Sequence, residues 1–317
     1  MSARERYDVI TMGRIGVDIY PLQVGVRLKD VSTFGKFLGG SATNVAVAVA
    51  RHGRRSAVIT RTGEDPFGEF AHAALTELGV DDHFVLPVRG LATPVAFCEI
   101  FPPDSFPIWF YREPKAPDLE ISAHELDMDA IRSAGVFWIT TTGLSQEPSA
   151  SAHLAALRAR GRRRFTVLDL DYRPTFWSDK GAAHRAVAEV LPSCDVAVGN
   201  LEEAEVATGK ADPESAGQAL LEAGVDLAVV KMGPKGVAAI ARNGERAVST
   251  PISVDVVNGL GAGDAFGGAL CHGLLQGWQL QKVLDFANAA GAIVASRLEC
   301  STAMPTTGEV EELLRRR

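Results

Sequence analysis

Residues 253–268, SVDVVNGLGAGDAFGG, set one carboxylate among glycines at a spacing suited to phosphate chemistry. Gly259, Gly261 and Gly263 forbid a continued strand and permit a tight turn. From Ala265 onward Phe266, Leu270 and Leu274 recur at helical spacing. The unpaired N–H groups of a helix start hold anions, and glycine lets a phosphate come close to the backbone. A carboxylate at that place repels a resting phosphate, so Asp264 needs a reason to be there. Either it takes the proton from a hydroxyl that attacks a phosphoryl group, or it caps the helix. The local residues leave both readings open. A dinucleotide fingerprint is excluded because Phe266 stands where its third glycine belongs, and a Walker loop because no Gly-Lys-Ser/Thr follows.

The elements that must position this turn alternate along the chain. Ser253–Val257 reads as the strand that feeds it, and helices are expected near 265–276, 279–296 and 308–315. Upstream, Tyr7–Met12 reads as a first strand. Val45–Ala50 (VAVAVA) alternates like a strand, yet its alanines, a Ser41 or Thr43 cap and the Gly53 stop predict a helix. Ala57–Thr60 is a strand, and Asp65-Pro66 opens a helix that Gly79 closes. Phe84–Val88, Val95–Ile100 and Ile108–Tyr111 are short β-type runs broken by prolines, predicting a small antiparallel insertion. Its Trp109, Phe110 and Tyr111 suit either a lid over a pocket or an ordinary sheet face. Ser122 with Glu125 predicts a capped helix over 122–134. Strands at 136–140, 165–170, 195–198 and 227–230 then alternate with helices at 148–160, 178–192, 201–208 and 214–222. Asn243-Gly244 predicts a type I′ hairpin. Such alternation gives an α/β fold whose mostly parallel sheet is covered on both faces.

Composition narrows the classes. The chain of 317 residues is 46% hydrophobic and 22% charged, as in a globular protein. A net charge of -7 with no basic block argues against nucleic acid as a partner. Cys98, Cys194, Cys271 and Cys300 are far apart and the histidines show no ligand spacing, so neither a disulfide framework nor a protein-held zinc is expected. No apolar leader or membrane-length run is present, and a cytoplasmic protein without a membrane partner is the expectation.

Two ordered signatures then carry a resemblance. Gly39-Gly40-Ser41-Ala42-Thr43-Asn44 runs into Ala50-Arg51-His52-Gly53, Gly63-Glu64-Asp65-Pro66-Phe67-Gly68 follows, and Gly261-Ala262-Gly263-Asp264-Ala265-Phe266 comes late. The chain resembles the ribokinase-like family of carbohydrate kinases, of the phosphofructokinase-B type, over nearly its whole length. The resemblance implies one three-layer α/β/α domain over 1–317, with a small β-sheet lid from segments near 15–35 and 93–113. It implies that Asp264 is the general base and that the amides of Gly261, Ala262 and Gly263 stabilise the moving phosphoryl group. Asp18, Gly40 and Asn44 fall where the family grips sugar hydroxyls. Asn200 and Glu203 resemble its Mg²⁺–phosphate organiser, although the residues alone read as an Asn cap with a first-turn Glu. Gly233 and Gly236 resemble its nucleotide loop, and Asn288 its adenine contact. ATP with Mg²⁺ is the implied cofactor pair, and a homodimer paired through the lids the implied assembly. Asn258 stands where many members carry an Asp of a monovalent-cation site, keeping an oxygen for K⁺ but losing the charge.

The acceptor is implied by FPIWFYRE, with Arg112, and LDLDYRP, with Arg173. Both resemble kinases of keto-deoxy sugar acids, whose carboxylate an Arg binds through a bidentate fork. Either arginine could instead be a surface or interface ion pair, and Arg173 could meet phosphate. Within the group, the opening GRIGVDIYPLQVGVRLKDVSTFGKFLGG points to transfer of the ATP γ-phosphate to the 6-hydroxyl of 5-dehydro-2-deoxy-D-gluconate, in myo-inositol breakdown. The alternatives are 2-dehydro-3-deoxygluconate and then a neutral sugar such as fructose. A sugar-sensing pseudokinase is the alternative of another class, and the intact GAGD argues against it.

Overall fold

Period-two alternation explains the centre of the molecule. In Val9-Ile10-Thr11-Met12, Val9 enters one apolar cluster while Ile10 and Met12 enter another, as a strand buried on both faces requires. Trp138 and its neighbours Phe137 and Ile139 divide the same way.

The computed structural model describes residues 7–163 and 165–316. The chain runs β1 (Val9–Met12), β2 (Gly16–Pro21), β3 (Phe34–Gly39), α1 (Ser41–Arg51), β4 (Ser56–Gly63), α2 (Pro66–Glu77), β5 (Val80–Asp81), β6 (Val85–Val88), β7 (Val95–Cys98) and β8 (Ile108–Tyr111). It continues through α3 (Met128–Ser133), β9 (Val136–Thr140), α4 (Ser149–Arg160), β10 (Thr166–Asp169), α5 (Lys180–Val190), β11 (Val196–Asn200), α6 (Leu201–Thr208) and α7 (Pro213–Glu222). It closes with β12 (Leu227–Lys231), β13 (Val237–Ala241), β14 (Arg246–Ser249), α8 (Ala262–Leu275), α9 (Leu280–Ala295) and α10 (Thr307–Arg315).

The large sheet has the order β14-β13-β12-β11-β10-β9-β1-β4-β5, with β6 also beside β4. Its pairings are parallel except those of β12–β13 and β13–β14. Helices α1, α2, α8, α9 and α10 pack on one face, and α3 to α7 on the other. This is the expected three-layer α/β fold. A separate sheet, β3-β2-β7-β8, stands apart from it. The carboxyl ends of β1, β9, β10, β11 and β12 open toward one region, the usual place for a ligand in an open α/β sheet.

Several sequence expectations need correction. Ser253–Val257 is not a strand: the N–H groups of Val257 and Asn258 both donate to Ala295 O at the end of α9, so the segment is tied to a helix. Within the insertion β7 and β8 pair antiparallel as expected, but Val85–Val88 joins the large sheet instead, and β7 also pairs parallel with β2. Helix 122–134 is broken. The Ser122–Glu125 capping box closes on a 3-10 turn, where Glu125 also meets buried Arg61 at 2.8 Å, and Asp127 caps α3 afresh. VAVAVA is helical, but Gly40 is the cap residue and neither Ser41 nor Thr43 caps it. The β13–β14 hairpin forms without a type I′ turn, since Gly244 has φ +90° and no non-glycine described has positive φ.

Candidate active site

Asp264 lies in the first turn of α8, whose N-cap is Gly261 in the left-handed region at φ +82°. The capping alternative therefore fails. Glycines on α8 let α1 come close: a Cβ on Gly268 would lie 2.3 Å from Ala48 Cβ, and one on Gly267 2.6 Å from the Trp138 ring. That approach sets Asn44 of α1 opposite Asp264, with Asn44 Nδ2 donating to Asp264 Oδ2 at 2.8 Å. The Asn44 Oδ1 is buried with no protein partner. Burial raises the Asp264 pKa to about 6 against the lowering effect of the Asn44 bond.

Asp18 comes to the same place from β2. Its carboxylate lies flat over Gly39, where a Cβ would sit 2.3 Å from Asp18 Oδ1. Gly40, at φ +100°, presses against Arg14 O, 2.5 Å from where its Cβ would be. The Gly-Gly pair thus lets strand, helix start and carboxylate share one space. Burial raises the Asp18 pKa, also to about 6.

Between these elements lies a charged group that the sequence reading passed over. Arg14, directly after β1, is buried and donates to Asp171 Oδ2 at 2.8 Å, Ser41 Oγ at 3.0 Å and Thr142 Oγ1 at 3.1 Å. Its guanidinium also lies 5.6 Å from the Phe110 ring of β8 and 5.5 Å from Phe176. The Asp171 carboxyl stays low, at about 2, because the pairing with Arg14 and Arg173 outweighs its burial. Arg173 Nε approaches Asp171 Oδ1 at 3.0 Å without hydrogen-bond geometry, and its side chain is 40% exposed. Arg112 is differently employed: it donates to buried Asp118 at 2.8 Å and covers Phe176 at 4.8 Å. An arginine placed just after the first strand, and an acid two residues before Arg173, were the available signals.

Lys231 was also missed, although its motif was noted. It ends β12, and a Cβ on Gly263 would meet its Nζ at 3.1 Å, so an ammonium stands at the glycine turn. It offsets, in part, the burial that raises Asp169 and Glu203. Asn200 and Glu203 form a reciprocal capping box at the start of α6, with bonds of 2.9 and 2.7 Å. Glu203 is nonetheless buried beside Lys231 and Arg173. Gly236 and Asn288 meet the same segment: a Gly236 Cβ would lie 2.1 Å from Ser249 O, while Asn288 Nδ2 donates to Ser249 Oγ and Thr250 O. Gly233 is exposed, at φ +56°, with nothing packed against it.

The residues test the implied ions differently. Among the described residues no three acidic, histidine or cysteine side chains gather to cage a metal. Of the residues expected to serve Mg²⁺, the buried carboxylate of Glu203 would be available to an ion that enters with ATP. Asn258 does not suit K⁺. It is fully buried, its Nδ2 donates to Leu298 O at 2.7 Å, and its Oδ1 accepts from Leu260 N at 3.0 Å. The N–H₂ faces the Leu298 carbonyl, and the side chain brings no negative charge and one oxygen already bonded to Leu260 N.

The pfkB family carbohydrate kinase profile matches residues 7–307. A 5-dehydro-2-deoxygluconokinase of Geobacillus thermodenitrificans is 32% identical over 97% of this chain and 93% of its own length. That of Photobacterium profundum is 33% identical over 94% and 92%. Among solved structures, an E. coli protein described as a ribokinase II, with ATP and Mg²⁺, superposes with a TM-score of 0.88 at 25% identity, covering 98% of this chain and all of that one. A Vibrio cholerae fructokinase double mutant holding fructose, ADP and potassium gives 0.82 at 26% identity, covering 98% and 100%. No described helix is long and apolar enough to cross a membrane.

Proposed function

The chain belongs to the pfkB family of carbohydrate kinases and is an ATP-dependent sugar kinase, and on that premise we propose that its acceptor is 5-dehydro-2-deoxy-D-gluconate, phosphorylated on the 6-hydroxyl. The observation that carries this reading is the Arg14–Asp171–Arg173 group beside Asp264. A sugar acid brings a carboxylate that a guanidinium can bind through a bidentate fork, and a neutral sugar brings none. The names of the full-length relatives support the same choice.

In this reading Arg173, whose fork is partly open, takes the substrate carboxylate, and Arg14 holds Asp171 so that Arg173 points correctly. Asp18 and the spare Asn44 Oδ1 accept from sugar hydroxyls over Gly40. Asp264 then removes the proton of the attacking hydroxyl, aimed by Asn44. The backbone of Gly261, Ala262 and Gly263, together with Lys231, faces the charge that develops on the phosphoryl group. Gly233, Gly236 and Asn288 line the nucleotide side. Asn200 and Glu203 would hold the Mg²⁺ that enters with ATP, and that ion would supply charge neutralisation. The small sheet acts as a lid, through Phe110, that excludes water. The single domain pairs as a homodimer through this sheet and serves myo-inositol breakdown in the cytoplasm.

The test is ADP release with ATP and Mg²⁺ on 5-dehydro-2-deoxygluconate, 2-dehydro-3-deoxygluconate, fructose and ribose. The highest kcat/KM is expected on the first. A preference for fructose or ribose would remove the carboxylate role of Arg173 and leave the kinase assignment standing.

A further inference from the structure

Tyr20 is buried two residues from Asp18 on the same face of β2, as strand alternation dictates. Its hydroxyl lies 2.9 Å from Asp18 Oδ2 and 2.9 Å from Cys300 Sγ. An ionised carboxylate only accepts, so the phenol donates to Asp18 and its oxygen is left to accept from the thiol. Burial raises the pKa of both Tyr20 and Cys300, so both keep their protons. The bonds therefore run one way, from thiol to phenol to carboxylate.

Cys300 also backs the glycine turn. A Cβ on Gly261 would meet its Sγ at 2.7 Å. The next residue, Ser301, donates to Leu38 O of β3 at 2.6 Å. Tyr20, Cys98, Ile100 and Cys300 make an apolar cluster of their own, separate from the two faces of the large sheet. The small sheet thus meets the start of α8 at one built contact, with a polar relay through its middle.

We propose that Tyr20 and Cys300 are positioning residues that hold Asp18 in register with the Gly261–Asp264 turn. The acceptor sugar then meets the gripping carboxylate and the base in a fixed relation. The proposal rests on the reading of Asp18 as a sugar-binding group. The titratable and charged groups facing Asp18 are Arg14, Tyr20, Cys98, Asp264 and Cys300.

The experiment measures steady-state kinetics of the full chain against acceptor and against ATP, from pH 5 to 8. Tyr20→Phe should raise the acceptor KM about tenfold, the scale of one lost bond to a charged group, and leave the ATP KM unchanged. It should also move the acid limb of kcat/KM to higher pH, because the phenol bond lowers the Asp18 pKa. Cys300→Ala should raise the acceptor KM several-fold, and Cys300→Ser, which keeps a donor, should recover part of that loss. Equal losses for Ala and Ser, or an unmoved limb in Tyr20→Phe, would mean packing alone and overturn the relay. Asp18→Asn separates the two readings. If it leaves the acceptor KM unchanged, the sugar-binding reading falls and the relay with it. If it raises KM while Tyr20→Phe does not, the relay alone falls.

Discussion

The two halves of the proposed site are built from different materials. On the proposed acceptor side, buried charged side chains from β2 and the segments after β1 and β10 converge with an amide of α1: Asp18, Arg14, Asp171 and Asn44 are each less than a tenth exposed. On the proposed nucleotide side stand an exposed turn at 233–235 and one partly buried amide, Asn288, which donates to Ser249 Oγ and Thr250 O. Buried charges are costly unless fully paired, so they are fixed in place and discriminating. A backbone loop is cheap and tolerant. On the proposed assignment, selectivity would therefore belong to the acceptor side.

That contrast can be broken by substitution. Arg173→Met should raise the acceptor KM by about 10²-fold while hardly altering stability, since Arg173 is half open to solvent. Arg112→Met should do the reverse: it strands buried Asp118, and a loss of about 3 kcal/mol in unfolding free energy is expected from denaturant titration. Should Arg112→Met affect binding more than stability, the two arginines have been assigned the wrong way round. The pH profile sharpens the comparison. Burial raises the pKa of Asp264 and of Asp18 to about 6, and the proposed roles need both ionised, so kcat/KM should fall below that pH more steeply than a single titration allows. On the nucleotide side, Asn288→Ala should raise the ATP KM only about fivefold, the value of one neutral hydrogen bond. Replacing K⁺ by Na⁺ or choline should change nothing, because the Asn258 amide already ties Leu298 O; several-fold activation by K⁺ would refute that.

Local patterns reached the frame and the convergent residues. Alanine-rich VAVAVA reads as a helix, and Asp264 and Asn44, 220 residues apart, were both marked and do meet. Ser253–Val257 misled because β-branched alternation says nothing of a partner, and its N–H groups found Ala295 instead. Asn243-Gly244 suggested a turn type that the Asn does not adopt. Arg14 and Lys231 escaped because their partners lie far along the chain, as Asp171 does from Arg14; Asp171 escaped although Arg173 stands two residues on. Arg112 and Arg173 looked equivalent until Asp118 was seen to occupy one of them. Tyr20 carried no signal beyond an aromatic in a strand.

The central claim is that Asp264 is the base and that its carboxylate acts on the acceptor, not on ATP. The direct measurement pairs single-turnover phosphoryl transfer with calorimetric ATP binding in Asp264→Asn. Transfer should slow by about 10²–10⁴-fold with ATP affinity within about twofold of the parent. Transfer within tenfold of the parent, or a loss that follows ATP binding alone, would contradict it.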